Sequence, residues 1–165
     1  MTSPGSILTN PAAILAARVF TAMGSGDLAD FEVLIHPDAV NRAAVEQPLA
    51  CRGRGPQAWY ATAQWLRDFS CDLQWNVHEA VAEGDLAVLN CTMSGHHTGE
   101  HVHYDASGAP AQVMPASGRP FASKQSHWFR LLDGKVVEHW ANRDDLGMAM
   151  QLGWLSPPAL PPMAR

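Results

Sequence analysis

The chain has 165 residues, which allows one domain of ordinary size. Hydrophobic residues make up 47% and charged residues 16%, a balance that excludes a disordered chain. The 11 Lys and Arg against 16 Asp and Glu give a formal net charge of −5, without the basic excess of a nucleic-acid binder. Cys51, Cys71 and Cys91 are odd in number and form no C-x-x-C, which speaks against a disulfide framework and a thiolate zinc knuckle. The apolar stretch at 11–20 is too short to span a membrane and is interrupted by Arg18. The first residues carry no basic segment of a secretion signal. The expectation is a cytoplasmic protein with one domain over 10–155, loose tails at 1–9 and 156–165, no nucleic-acid partner and no membrane span.

Asn10-Pro11 opens a helix, with Asn as cap and Pro at the first helical position. Ile14, Leu15, Val19 and Phe20 recur at helical spacing until Gly24 and Gly26. Asp27 begins a second, short helix, which His36-Pro37-Asp38 breaks, and 39–46 reads as a short strand. After the loop at 51–55, Pro56 starts a third helix through Phe69. The pattern then changes to period two. Strands are predicted at 72–82 and 86–96 around Gly84-Asp85, and at 119–132 and 136–145 around Asp133-Gly134. Between them, 97–118 reads as a long loop, and 145–152 as a closing helical turn. Helices first and antiparallel strands after make an α+β fold: a strongly curved sheet, with the helices on its concave side, enclosing an apolar cone. Such a hollow suits a hydrophobic small molecule.

An unbroken ladder from Leu132 and Lys135 sets Phe129 opposite Glu138, His127 opposite Trp140, Gln125 opposite Asn142 and Ser123 opposite Asp144. That register gathers His127, Gln125, Asn142 and Asp144 in one patch flanked by Trp140, Phe129 and Phe121. Polar groups among aromatics are costly to bury unless paired. A carboxylate in such a place gains proton affinity, and a nearby imidazole can donate to a developing oxyanion. The patch therefore reads as a proton-transfer site with Asp144 as base and His127 as donor. A structural His–Asp pair, or Asp144 as a helix cap, is the bland alternative.

The segment Gly118 to Gly153, with its DGKVVEHWANRDDLGMAMQLG, resembles the SnoaL-like polyketide cyclase group of the NTF2-like superfamily. GDL at 26–28, HPDAVNR at 36–42, EGDLAVLN at 83–90 and GHHTGE at 95–100 follow in family order. The resemblance implies the same α+β cone and a homodimer packed through the outer sheet face. It implies an Asp base for intramolecular aldol closure, falling on Asp144 by the Trp140-x-x-x-Asp144 step, with Asp145 as rival. It further implies pocket roles for Gln125, His127 and Asn41, on a hydrophobic polyketide-like substrate and without a cofactor. Related outcomes of the same pocket are hydration, isomerisation, epoxide opening or non-catalytic binding.

His96, His97, His101 and His103 crowd one segment, and His101-x-His103 has the spacing of a shared metal site. The carboxylate that would complete such a motif is missing, since 107 and 108 are Ser and Gly. A polar pocket rim, with His96 looking inward, is the preferred reading, with no metal.

Overall fold

The computed structural model describes residues 8–156. The two tails fall largely outside that range. Helix α1 (Pro11–Ser25) starts where Asn10 accepts a hydrogen bond from the Ala12 amide at 2.8 Å. Helix α2 (Leu28–Leu34) starts at a reciprocal capping box between Asp27 and Asp30. Strand β1 (Ile35–Asn41) follows without a break, and a 3-10 turn (Leu49–Arg52) leads into α3 (Gly55–Phe69). Then come β2 (Ser70–Glu83), β3 (Leu86–His97), β4 (His101–Tyr104), β5 (Pro110–Met114), β6 (Pro120–Leu132), β7 (Lys135–Arg143) and α4 (Asp145–Leu152).

The main sheet runs β1-β7-β6-β3-β2. Its antiparallel body is as expected, but the early strand lies at 35–41 rather than 39–46 and pairs with β7 in parallel. The sheet is therefore mixed. His36-Pro37-Asp38 sits within β1, at a sheet edge, where the missing proline N–H costs no ladder bond. The segment at 97–118 is not a plain loop: β4 and β5 form a separate two-stranded sheet within it.

Alternation along β3 and β6 sends Ala87, Leu89, Cys91 and Met93, with Phe121, Ser123, Gln125, His127 and Phe129, to one buried face. Ala16, Val19, Phe20 and Met23 of α1, and Trp59 and Ala63 of α3, cover that face and form the main core with it. A second cluster of Phe69, Met93, Phe121, Met148 and Leu152 closes the other end. The α+β cone with helices on the concave side is thus the observed architecture.

The hairpin at Asp133-Gly134 has positive φ at both residues (50° and 74°), as a tight two-residue turn requires. Leu132 pairs with Lys135 and Leu131 with Val136, as expected. Then the ladder slips: Arg130 pairs with Glu138, leaving Val137 as a bulge. One extra residue turns every later side chain of β7 to the opposite face.

Candidate active site

The bulge decides which β7 residues enter the cone. Phe129 faces His139, His127 faces Ala141 and Gln125 faces Arg143. Trp140 lies on the outer face, stacked on Trp128 with centroids 5.9 Å apart, and Asn142 is exposed opposite Ser126. Neither belongs to the pocket, contrary to the unbroken register. Asp144 also leaves it. Its exposed carboxylate caps α4, accepting from the Gly147 amide at 2.8 Å. A helix cap must point along the helix start rather than into the cone. His96 is half-exposed and 3.7 Å from Asp72; strand alternation sends His97 inward instead. Phe121 is buried in the second core cluster and does not line the hollow.

Inside lies a cavity of about 720 Å³. Phe20, Trp59, Trp65, Trp75 and Phe129 supply aromatic wall. Of the expected pocket residues, His127, Gln125, Asn41 and Phe129 line it. Sequence reasoning missed His139, and the cavity lining brings in Asp145 rather than Asp144. The signal for His139 was the pair Val136-Val137, adjacent apolar residues that strict alternation cannot both bury. Only Val136 is fully buried.

The polar groups form one chain across the inner wall. His139 Nδ1 is 2.8 Å from Asn41 Oδ1, His139 Nε2 is 2.9 Å from His127 Nδ1, and His127 Nε2 is 2.7 Å from Gln125 Oε1. Each end is held independently. The Ala43 amide donates to Asn41 Oδ1 at 3.1 Å, and the Trp75 indole N–H donates to Gln125 Oε1 at 3.3 Å. Phe20 meets the His127 ring edge-on at 4.9 Å, and Trp59 meets His139 at 5.6 Å. Burial drives both imidazoles toward the neutral form. The His139 pKa falls to about 3, with Arg143 adding to the effect. That of His127 falls well below its ordinary value, through burial first and then His139 and Arg143.

A second polar group lines the cavity on the β4 side. His101 Nε2 and His103 Nε2 are 2.8 Å apart, and His103 Nδ1 is 3.5 Å from Glu46. Burial, followed by the charges of His103, His97 and Arg143, lowers the His101 pKa to about 3. His101 stacks on Trp154 at 5.3 Å, so the two-apart histidines form an aromatic rim. The lining carboxylates are Glu46 and Asp145, and Asp145 is engaged by Arg143 at 3.2 Å.

An aromatic hollow with a buried imidazole–amide wall inside an α+β cone is the kind of cavity that accommodates a small molecule. Residues 14–152 match the SnoaL-like polyketide cyclase family, and the chain belongs to it. It is 32% identical over 146 residues to aklanonic acid methyl ester cyclase DnrD of Streptomyces peucetius, covering 87% of this chain and 92% of that protein. It is 28% identical to the nogalonic acid methyl ester cyclase of Streptomyces nogalater, over 81% of this chain and 90% of that one. Among solved structures, TsrD of Streptomyces laurentii superposes with a TM-score of 0.69 at 27% identity, covering 88% of this chain and 96% of its own.

Proposed function

We propose that this protein is a cofactor-independent cyclase that closes a ring in a hydrophobic polyketide-like ester by intramolecular aldol chemistry. The observation that carries the reading is the buried chain Asn41–His139–His127–Gln125 on the inner wall of an aromatic cavity. The flat aromatic walls suit a fused-ring substrate. His127 meets the reacting carbonyl, and Gln125 and Asn41 orient the substrate around it. Removal of a carbon-bound proton gives an enolate whose negative oxygen the wall stabilises, and the enolate carbon then attacks a second carbonyl. The base assigned to Asp144 in the sequence reading passes to another group, because that side chain caps α4 outside the cavity. The relatives' names supply the test substrates, aklanonic acid methyl ester and nogalonic acid methyl ester. Turnover of either is expected, and His127→Ala is expected to reduce it about 10²–10⁴-fold while apolar binding persists. Tight binding of both esters with no ring closure would instead identify a binding module.

The working unit proposed is a homodimer formed through the outer sheet face, where Trp128 and Trp140 stack and Arg42 lies 5.8 Å over the Trp140 ring. Sedimentation should give a dimer for the native chain and a monomer for Trp128→Glu.

A further inference from the structure

The hydrogen-bond chain on the inner wall contains a proton count that its geometry makes explicit. Both ends are acceptors. Asn41 Oδ1 already receives the Ala43 amide, and Gln125 Oε1 already receives the Trp75 indole, and neither of those donors can accept. Turning the Gln125 amide around would set its NH₂ against the indole N–H and remove its nitrogen from Met93 Sδ, now 3.6 Å away. Between the two acceptors lie four ring nitrogens and three close contacts, of 2.8, 2.9 and 2.7 Å. Three hydrogen bonds need three protons. Two neutral imidazoles supply two, so one contact in the resting chain must set lone pair against lone pair, whichever tautomers are chosen.

We propose that the His127–His139 pair, rather than a carboxylate, takes up the carbon-bound proton, because one added proton completes the chain. The inference rests on the cyclase reading above and supplies its missing base. His127 is the catalytic residue and His139 the positioning residue that shares the charge. The contact between His127 Nε2 and Gln125 Oε1, where lone pair meets lone pair, opens to admit the substrate carbon. The C–H bond breaks, its electron pair passes into the enolate, the proton bonds to His127 Nε2, and the contact closes again on the new N–H. Nδ1–H of His127 then donates to His139, and Nδ1–H of His139 donates to Asn41. After the enolate carbon attacks the second carbonyl, the new alkoxide takes the proton back from His127, so no co-reactant is consumed. Ala141, small and directly across the ladder from His127, leaves room for substrate at that ring.

Burial explains why the proton is absent at rest and accepted during reaction. A lone imidazolium is costly in this wall, and Arg143, the charged neighbour of both rings, adds repulsion. An enolate formed beside the pair brings the opposite charge and offsets that cost. The lining carboxylates offer no equivalent. Asp145 is tied to Arg143, and Glu46 stands beside His103.

The test uses 2-hydroxy-1,4-naphthoquinone, an acidic enol that is anionic at neutral pH, as an enolate mimic. Calorimetry in buffers of different ionisation enthalpy should show uptake of about one proton on binding. Nitrogen-15 labelling of the imidazoles should show both rings responding together. Asn41→Asp replaces a neutral acceptor with a charged one of the same shape. It should load the pair before binding, abolish the uptake and move the activity profile to higher pH, a shift that a merely structural role would not produce. His139→Gln should lower kcat by about 10²–10⁴-fold with little change in KM. Binding without proton uptake overturns the inference alone. So does Asp145→Asn abolishing turnover while His139→Gln leaves it intact. A mimic that does not bind overturns the enolate site itself, and the inference falls with it.

Discussion

Two adjacent carboxylates divide their work at the start of α4. Asp144 satisfies the Gly147 amide, while Asp145 turns toward the cavity and Arg143. A Cβ on Gly147 would come within 2.2 Å of the Asp144 carboxylate, so the cap and its glycine are matched. Asp144→Ala should therefore cost about 1 kcal/mol of stability, measured by urea unfolding, and leave turnover near the native level. A loss of activity without a loss of stability would return Asp144 to the chemistry. Residue types were legible in the sequence at this scale: Gln125, His127 and Asn41 do line the hollow. Their partner His139 was not, because its direction depends on a backbone irregularity rather than on its own identity.

That irregularity belongs to the element. The hairpin turn at Asp133-Gly134 is readable because only a few residues accept positive φ. The bulge is marked more weakly: its one sign is the adjacent pair Val136-Val137, and either valine taken alone also fits a regular strand. Beyond the bulge, Glu138 on the outer face meets Arg130 and Arg42, while the Leu131 amide donates to the Asp85 carbonyl at 2.8 Å. Deleting Val137 removes the extra residue and leaves Arg130–Glu138, Phe129–His139 and His127–Ala141 paired in a regular ladder, with His139 still inward and Trp140 still outward. The expected result is a cooperative thermal transition, followed by circular dichroism, and retained turnover. Loss of turnover in a folded deletion variant would show that the bulge itself, and not only the facing it sets, builds the site. The β4–β5 hairpin escaped the sequence reading for a related reason: its short strands alternate too briefly to show a period.

For the whole molecule, buried neutral histidines link folding to pH. His97, His101, His127 and His139 all have pKa values lowered by burial, to about 3 for His101 and His139. An unfolded chain binds protons at these rings near the ordinary value of 6.5, whereas the folded one resists until much lower pH. Between those limits the unfolded state holds more protons, so stability falls as pH falls. Unfolding midpoints should drop steadily from pH 7 toward pH 4, and His101→Phe should shallow the slope. A flat profile over that range would contradict neutral burial. The cone itself was legible from element order and the two hairpin signals, because helices that precede a set of antiparallel strands have few ways to cover one face.

The β4–β5 hairpin lines one side of the cavity through His101, His103, Gln112 and Met114 and is tethered at three points. The Trp65 indole donates to the Val102 carbonyl, Arg52 donates to the Tyr104 carbonyl, and the Tyr104 amide donates to the Glu46 carbonyl. That side of the hollow is therefore a braced partition rather than a yielding flap, and thickness alone can turn a guest away.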